Sequence, residues 1–490
     1  MRVTLDWLTL APVLAPALAA LLVLVVDALA PRARNVHLGV ALVGLSAGGG
    51  SAGWAAAGDG TVRSLCLEAP EGACLYGAGP TAGVLQLLAL GAAAVVVLML
   101  LGDRSGGGDA LAGGPAVSAA LVLAATAGAT GVVAAQDLGS WLVTLELATL
   151  PMVALVALGG RGRAVHGALT LLVTSVLSFA LLALGVALWV VATGSSTFAT
   201  SGVRDAWGSP EHRLVLVTAV VVLLAGLGFK LSLVPFHAWT PVTYAGAATP
   251  VALALATVSK VAALGALVTV VRALASVVQD PAPTAVIAGL AAVSLGSMLL
   301  GALVALRQVD PVRLLAWSAV GQAGWVVLPL TAVTAAGADA ATGYLAAYVV
   351  ATTVAFAVVH LVHGPVAAGA PQRPRELSHT GGLARHHVLL GGVLVLALLS
   401  LAGLPPGVLG LVAKVVALQP VLAAGLWPVA VVAVVGAVLG VAVYLRWVAI
   451  LLGAGRSSGP LQRMAGSQVG LVLAATVLVV TSVLPGLVLR

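Results

Sequence analysis

The sequence predicts an all-α polytopic membrane protein with about 14 transmembrane helices, in which two inverted five-helix repeats each contain a broken helix. The first observation is composition: 61% of the 490 residues are apolar and only 8% are charged. Apolar runs of about 20 residues, the length that crosses a bilayer core, recur from end to end. A chain of such long runs forms helices, because the strands of a barrel would alternate apolar and polar residues.

The predicted spans begin where an apolar run follows glycine, proline or a charged residue. We interpret the first run, "TLAPVLAPALAALLVLVV", as a retained helix rather than a cleaved signal peptide, because it is long enough to span and more spans follow it. The predicted starts lie near Thr9, Val36, Thr81, Pro115, Leu138, His166, Leu214, Ala247, Pro283, Leu314, Ala341, His387, Trp427 and Val469.

The formal charge of +7 does not indicate a nucleic-acid partner, because the basic residues are scattered singly between spans. They predict orientation instead, since short loops rich in arginine stay on the cytoplasmic side. That side would hold Arg32, Arg34, Arg104, Arg161, Arg163, Arg307, Arg313, Arg373, Arg375, Arg385, Arg456 and Arg463, and the other side Arg2, Arg63, Arg204, Arg213 and Arg490, with Arg272 near a span end. Both termini would then lie outside, in a multi-pass protein of the cell's inner (plasma) membrane.

The loop "RSLCLEAPEGACLYG" carries both cysteines of the chain, Cys66 and Cys74, on the predicted outer side. An oxidising compartment permits a disulfide between them, and two unpaired thiols are the alternative that the sequence leaves open. No further cysteine exists to complete a metal site, so we predict no bound metal.

Four ionisable residues interrupt the apolar spans. All three lysines of the chain, Lys230, Lys260 and Lys414, lie inside spans, while the loops use arginine. Glu146, in "WLVTLELATLPMVAL", is the one carboxylate well inside a span. An interior lysine costs ~2.5–3.5 kcal/mol even on lenient insertion scales, and a buried lysine, unlike an arginine, can release its proton. We therefore predict a proton or ion path; pairing of Glu146 with Lys230 for assembly alone is the alternative.

Proline breaks accompany two of these lysines. Lys230 precedes Pro235 in "KLSLVPFH", and Lys414 follows Pro405 and Pro406 in "SLAGLPPGVLGLVAK". Broken helices at membrane depth are tolerated where they line a polar cavity. The two breaks fall in spans of opposite predicted direction, which favours an inverted repeat. The predicted domains are an N-terminal three-helix segment (1–112), a first repeat (113–280), a second inverted repeat (281–453) and a C-terminal helix (454–490).

Polar residues near the first break are candidates for relaying protons or holding water. Ser232, His237 and Ser259 lie close in sequence to the first two lysines. A histidine in such a position is more often a capping or packing residue than a relay, so both interpretations of His237 stay open.

Motifs for redox cofactors and nucleotides are absent from the sequence. It has no Walker loop, no dinucleotide fingerprint after a strand, no cysteine cluster for iron–sulfur and no paired in-span histidines for haem. The chain is therefore predicted to use an ion gradient or to receive work from a partner.

These motifs resemble the antiporter-like membrane subunits of respiratory complex I and the related Mrp cation/proton antiporters, over essentially the whole chain. "GFKLSLVPFHAWTPVTYAGAATPVALALATVSKVAAL" carries the family signature, and "DPVRLLAWSAVGQAGWVVL", "SLAGLPPGVLGLVAK" and "YLRWVAI" are similar to further family stretches. Within the family the signature is most similar to that of the subunit N branch, and lysine rather than glutamate at Lys414 argues against the subunit M branch. Val242, Ala245 and Ala248 depart from an expected acid, acid and proline. Leu409 departs from an expected phenylalanine.

The resemblance implies a proton-translocating subunit of an NADH–quinone oxidoreductase, which couples quinone reduction elsewhere in the complex to proton pumping. It assigns the proton relay at mid-membrane to Glu146, Lys230, Lys260 and Lys414. Flavin, iron–sulfur clusters and quinone would belong to partner subunits, and this chain would bind none of them. The expected partners are membrane subunits M, K and J, the lateral helix of subunit L and the lipid bilayer.

Two other functions stay open at this point. A subunit of an Mrp-type sodium/proton antiporter would show sodium-dependent flux with no requirement for NADH. An inert scaffold between neighbouring subunits would keep transport intact after all four interior charges were replaced with apolar residues.

Overall fold

The structure is a computed structural model, and it describes residues 3–67, 74–101, 113–160, 162–277, 284–364, 375–455 and 464–489. Several positions used above lie outside these ranges. They are Arg2, Arg104, Arg161, Pro283, Arg373, Arg456, Arg463 and Arg490, together with the predicted domain boundaries at 112 and at 280–281.

Helices dominate the described residues. Thirteen helical segments are long and apolar enough to cross a membrane, when the interrupted segments Leu138–Ala157, Thr249–Ala275 and Pro311–Ala332 count as one each. A fourteenth is added if the bent pair Leu377–His386 and Val388–Ala402 counts as one span, and the predicted all-α polytopic fold is thereby confirmed. The helices are α1 (Trp7–Leu29), α2 (Arg34–Ala57), α3 (Pro80–Leu101), α4 (Gly114–Val132), α5 (Leu138–Leu147), α6 (Leu150–Ala157), α7 (Gly162–Thr193), α8 (Thr200–Gly208), α9 (Pro210–Leu231), α10 (Trp239–Gly246), α11 (Thr249–Ala256), α12 (Val258–Ala275), α13 (Thr284–Ala305), α14 (Pro311–Val327), α15 (Ala335–His363), α16 (Leu383–His386), α17 (Val388–Ala402), α18 (Val408–Ala423), α19 (Trp427–Leu452) and α20 (Ala465–Val483). Short 3-10 helices cover Leu328–Ala332, Leu377–Thr380 and Pro485–Leu487.

Several helices begin earlier than the apolar runs indicate, and in α9 and α14 the reason is that charged residues lie in their first turns. Pro210 and Pro311 open α9 and α14, where the missing N–H of proline costs no hydrogen bond. Asp310 caps α14 by accepting from two of its backbone N–H groups. The largest shift is in α15, which begins at Ala335 rather than near Ala341.

Four spans are interrupted part-way across. Pro235 lies in the gap between α9 and α10, and Pro405 and Pro406 lie between α17 and α18. Two more interruptions, between α5 and α6 and between α11 and α12, were not predicted, because neither gap contains proline. In each predicted repeat the proline-containing gap falls in the fourth of five spans: α4, α5–α6, α7, α9–α10 and α11–α12 in the first, and α13, α14, α15, α17–α18 and α19 in the second.

A small antiparallel sheet lies outside the spans. Its strands are β1 (Val3–Thr4), β2 (Val62–Leu67) and β3 (Cys74–Ala78), in that order. Cys66 and Cys74 face each other across β2 and β3 and form a disulfide. Of the two alternatives that the sequence left open, the structure therefore contains the disulfide and not two unpaired thiols. Gln86 Nε2 donates to Tyr76 OH at 2.7 Å and thereby ties β3 to α3. Burial raises the pKa of the Tyr76 phenol.

The most buried helices form the centre of the molecule and the least buried ones its edges. In α15 and in the α11–α12 span, 94% of the most apolar window is buried, whereas in α7 and α19 only 28% is buried. Lys260 lies on one of these central spans, and Lys230 and Lys414 lie on helices that pack against them. The outward faces of α7 and α19 are left to contact lipid or neighbouring subunits.

Candidate functional site

A buried ion pair lies where two interrupted spans meet. Glu146 is in the last turn of α5, and Lys230 is in the last turn of α9. Glu146 Oε1 lies 2.8 Å from Lys230 Nζ, and the two side chains are only 15% and 4% exposed. A buried pair is stable when further hydrogen bonds satisfy its charges. Thr149 provides one, because its hydroxyl oxygen accepts from Lys230 Nζ at 3.0 Å.

Backbone carbonyl oxygens at the end of α9 accept hydrogen bonds from side chains. The last carbonyls of any helix lack partners within it. Here Ser232, the residue after the helix, has a left-handed backbone with φ 65°, and Pro235 has no N–H with which to continue the helix. Trp239 Nε1 donates to the carbonyl oxygen of Phe229 at 2.7 Å. The turn therefore leaves carbonyl oxygens at the end of α9 free to accept hydrogen bonds from side chains such as Trp239.

Lys260 is linked to the ion pair through the backbone. Its Nζ donates to the carbonyl oxygen of Lys230 at 3.1 Å and also to Ser232 Oγ. Thr240 Oγ1 donates to the same Ser232 Oγ at 2.5 Å. The Lys260 amine also lies 5.2 Å from the centre of the Trp239 ring, a cation–π distance. A connected set of polar groups therefore extends from the ion pair to Thr240.

The second proline break positions Lys414. The gap that holds Pro405 and Pro406 ends α17 and lets α18 start beside its last turn. Gly403 caps α17 with φ 77°, and a Cβ on this residue would lie 2.9 Å from Lys414 Cδ. Only glycine satisfies both the left-handed backbone and the close approach of the lysine side chain. Lys414 is 8% exposed.

Backbone carbonyls, not a carboxylate, surround the amine of Lys414. Its Nζ donates to the carbonyl oxygen of Leu401 at 3.3 Å and to that of Ala402. The amine also lies 5.4 Å from the centre of the Trp325 ring. Among the described residues, no ion pair involves Lys414. Its counter-charge is therefore the partial negative charge at the end of α17.

A buried cluster of neutral polar residues surrounds the carbonyl that Lys414 uses. Gln322 Nε2 donates to the Leu401 oxygen at 3.1 Å and to Tyr444 OH at 2.8 Å. Tyr344 OH donates to Gln322 Oε1 at 2.6 Å, and Ser318 Oγ lies 2.7 Å from Tyr444 OH. We call these four residues the Gln322 cluster: Ser318, Gln322, Tyr344 and Tyr444. These residues were not predicted from the sequence, because neutral polar residues in a span give no signal as strong as a charge.

The remaining candidates, His237 and Ser259, lie near the same groups. The ring of His237 packs against Trp317, with the ring centres 5.2 Å apart. That contact agrees with the packing interpretation, and the relay role of this histidine stays a prediction. Ser259 lines a small pocket beside Lys230, and Trp317 lines a second pocket beside Lys414.

The arrangement can hold and exchange protons. Carboxylate, amine and hydroxyl groups accept and donate them, and lysine is the basic side chain that can become neutral when buried. Among the described residues, no three histidine, cysteine, aspartate or glutamate side chains are grouped as a metal site would require. Proton transfer is a reaction that carboxylate, amine and hydroxyl groups at these distances can support.

Comparison with known proteins gives a family match and close relatives. Residues 135–440 match the family described as "NADH:quinone oxidoreductase/Mrp antiporter, TM", and this range includes all four interior ionisable residues. The chain is 39% identical over 462 residues to NADH-quinone oxidoreductase subunit N of Salinispora tropica, covering 91% of this chain and 85% of that protein. It is 36% identical over 460 residues to NADH-quinone oxidoreductase subunit N 2 of Streptomyces griseus, covering 91% and 83%.

Two solved structures share the fold over nearly the whole chain. A chain of respiratory complex I from Thermus thermophilus with bound aureothin superposes with a TM-score of 0.77 at 30% identity, covering 98% of each chain. A chain of the Mrp complex from Dietzia sp. DQ12-45-1b superposes with a TM-score of 0.80, covering 98% of this chain and 96% of that one. The second match has only 21% identity and is a likeness of fold alone.

Proposed function

The chain belongs to the NADH:quinone oxidoreductase/Mrp antiporter transmembrane family, and from that premise we propose that it is a proton-translocating membrane subunit of an NADH–quinone oxidoreductase, of the subunit N type. The names of its relatives support this assignment over most of the chain's length. The fold shared with a chain of Thermus thermophilus complex I at 30% identity supports it too.

One observation carries the proposed mechanism: the connected polar groups that extend from Glu146 to Thr240 through the first break. A charged neighbour of opposite sign favours the charged form of an amine. While Glu146 stays 2.8 Å from Lys230, the amine keeps its proton. When the pair separates, the amine is left in an apolar surrounding that favours its neutral form, and it releases the proton.

Lys260 receives the proton in the proposed sequence and carries it along the membrane plane. Its contact with Lys230 is to the carbonyl oxygen, so the transfer between amines needs a hydroxyl group or water between them. The hydroxyl of Ser232 accepts from the Lys260 amine and from Thr240 Oγ1, so these two hydroxyls adjoin the receiving amine. Lys414 would then pass the proton towards the outside, with the Gln322 cluster as its polar surrounding.

The driving force would come from partner subunits. Quinone reduction there would move the helices that hold the ion pair, while this chain would bind no flavin, iron–sulfur cluster or quinone. The proposed neighbours are subunits M, K and J and the lateral helix of subunit L. In the proposed orientation the chain is a multi-pass protein of the inner membrane with both termini outside, and it contacts the lipid bilayer but no nucleic acid.

The test of the relay is the substitution Lys260→Ala. Proton translocation per NADH oxidised, measured in inverted membrane vesicles, should fall, while the complex still assembles and still oxidises NADH. Thr269→Ala is a matched control, because this residue lies on the same helix and its hydroxyl bonds only to the carbonyl of Gly265. A Lys260→Ala complex that pumps as well as the Thr269→Ala complex would rule out the assigned role.

A sodium/proton antiporter of the Mrp type is the second candidate, because the description of the family that matches residues 135–440 also names the Mrp antiporter. The two functions separate on purification of the tagged full-length chain in mild detergent. Flavin and iron–sulfur absorbance that bleaches with NADH would support the oxidoreductase. A colourless assembly with sodium-dependent proton flux would support the antiporter. An inert scaffold is tested separately, by replacing all four interior charges with apolar residues: transport that survives this replacement would support a scaffold.

A further inference from the structure

Three arginines converge at the end of α10, on the predicted cytoplasmic side. Arg375 Nη2 donates to the carbonyl oxygen of Ala245 at 2.8 Å, and its Nε lies 3.8 Å from Asp310 Oδ2. Arg375 thus bridges the end of the first broken span and the start of α14. The side chains of Arg163 and Arg313 are close enough to act on its charge.

The backbones of Arg163 and Arg313 lie against the same two elements that Arg375 contacts, the end of α10 and Asp310 at the start of α14. A Cβ added at Gly246, the last residue of α10, would collide with the carbonyl oxygen of Arg163. The N–H of Arg313 donates to Asp310 Oδ1 at 3.2 Å. The three arginines therefore belong to one cluster that is held by helix ends. We call it the arginine cluster: Arg163, Arg313 and Arg375.

The arginine cluster has more positive charge than the described residues around it neutralise. Asp310 is the carboxylate that faces it, and one oxygen of Asp310 already caps α14. Glu376 accepts from Ser378 Oγ at 2.9 Å instead, and α10 contains no acidic residue. Burial lowers the pKa of Arg375, Asp310 raises it, and the other two arginines lower it again. An anion at this place would offset the remaining repulsion.

An exposed apolar surface begins next to this charge. Arg163 lies at the start of α7, and both it and Arg313 are exposed. Further along α7, Leu169, Val173 and Leu177 are 55%, 66% and 49% exposed and follow one another at intervals of one helical turn. Leu169 lies about 9 Å along the helix from Arg163, at 1.5 Å per residue. A phosphate site and an apolar face are thus within the length of one lipid.

We propose that the arginine cluster binds the phosphate of an anionic phospholipid from the cytoplasmic leaflet, whose acyl chain lies along the exposed face of α7. Guanidinium groups match phosphate in geometry as well as charge, and basic pockets between spans on this side of a membrane suit acidic headgroups. The general enrichment of arginine in cytoplasmic loops explains why such residues are present. It does not explain why three of them meet at one helix end beside an apolar face.

The test measures phospholipid binding to the tagged full-length chain, purified with its partners and stripped of lipid by detergent washes. Mixed micelles of phosphatidylglycerol or phosphatidylcholine are added, and the phospholipid retained is counted by mass spectrometry. The double variant Arg163→Gln/Arg313→Gln should bind phosphatidylglycerol about thirtyfold more weakly. This factor corresponds to the binding free energy that two arginines near a membrane surface contribute together. The double variant Arg32→Gln/Arg385→Gln is the control, because it removes the same charge from exposed positions elsewhere on the predicted cytoplasmic side.

Three outcomes would overturn the proposal. Equal retention of phosphatidylglycerol by the two double variants would show that the cluster does not bind lipid. Displacement of phosphatidylglycerol by inorganic phosphate alone would show an anion site that needs no acyl chain. Loss of a partner subunit from Arg163→Gln/Arg313→Gln, with phospholipid retained, would show that the cluster contacts protein instead. Binding that is selective for phosphatidylglycerol over phosphatidylcholine, and lost only in the cluster variant, supports the proposal.

Discussion

The two proline-broken spans hold their lysines against different kinds of negative charge. In the first, Lys230 faces the full charge of Glu146 at 2.8 Å and a hydroxyl group. In the second, Lys414 faces the carbonyl oxygens of Leu401 and Ala402 at a helix end and an indole ring. The breaks fall in the fourth span of each predicted repeat. The electrostatic partner of the lysine, however, is ionic in the first half and dipolar in the second.

In the proposed mechanism, this difference would separate the half that holds a proton from the half that passes it on. A helix end offers roughly half an elementary charge, spread over its last carbonyls, whereas a carboxylate offers a whole one. The carboxylate can also move away, because it belongs to a different helix from the lysine that it binds. In the proposed mechanism the first half switches between a charged and a neutral amine, whereas Lys414, which has no ion-pair partner among the described residues, passes the proton on.

The substitution Glu146→Gln should have the largest effect, because it removes the ionic partner and keeps the shape of the side chain. Breaking one side of a buried ion pair costs about 3–5 kcal/mol, which would leave the Lys230 amine mostly neutral. Proton translocation per NADH oxidised should fall close to zero in inverted vesicles. Glu211→Gln, at the exposed start of α9, is the control and should pump normally. Normal pumping by Glu146→Gln would remove the basis of the comparison.

The substitution Lys414→Arg tests the weaker half. Arginine keeps the positive charge beside the helix end but does not release its proton within a protein. Proton translocation should fall severalfold while the complex assembles, as judged by its NADH-oxidising activity in membranes. Arg385→Lys, an exposed exchange of the same two residue types, should change neither measurement. If Lys414→Arg pumped normally, its proton would not be part of the path.

The substitution Gln322→Leu sharpens the comparison, since only the second half has this cluster of neutral polar residues. It leaves two tyrosine hydroxyls and the Leu401 carbonyl without their shared partner, at a cost of about 1–3 kcal/mol. The unfolding temperature of the purified complex and its proton flux should both fall. The matched change at an exposed site, Gln468→Leu, should leave them as they are. A shift in unfolding without any change in flux would give the cluster a structural role alone.

The substitution Thr149→Val should have the smallest effect. It removes one hydroxyl acceptor from Lys230 and keeps the ion pair, a loss of about 1 kcal/mol or roughly fivefold in the population of the charged amine. The rate of proton pumping should fall by no more than that factor. Thr218→Val, whose hydroxyl bonds only to a backbone carbonyl on the exposed side of α9, is the reference. An effect as large as that of Glu146→Gln would mean that the hydroxyl, not the carboxylate, is what keeps the Lys230 amine charged.

The sequence was informative wherever a residue type contradicts its surroundings. A lysine or glutamate within an apolar run is costly, so Glu146 and the three lysines could be identified without any structure. Prolines inside apolar runs mark the gaps after α9 and α17 for the same kind of reason. The helical fold and the number of spans follow from run length, which is the strongest signal in such a chain.

Features that depend on packing could not be predicted in this way. The gaps before α6 and α12 contain no proline, and they place Thr149 next to Lys230 and set Lys260 in a first turn. The Gln322 cluster brings together residues from α14, α15 and α19, which no spacing in the sequence relates. Nor did the wide separation of Arg163, Arg313 and Arg375 in the sequence indicate that they meet at the end of α10.

The rings beside two of the lysines give the protein optical reporters of its own. Trp239 lies within cation–π distance of Lys260, and Trp325 lies at a similar distance from Lys414. The emission and vibrational bands of an indole shift when a charge beside it appears or disappears. Difference spectra of Trp239→Phe and Trp325→Phe against the unmodified chain would isolate each ring from the other tryptophans. The charge state of each amine could then be followed separately, and in time order, during turnover.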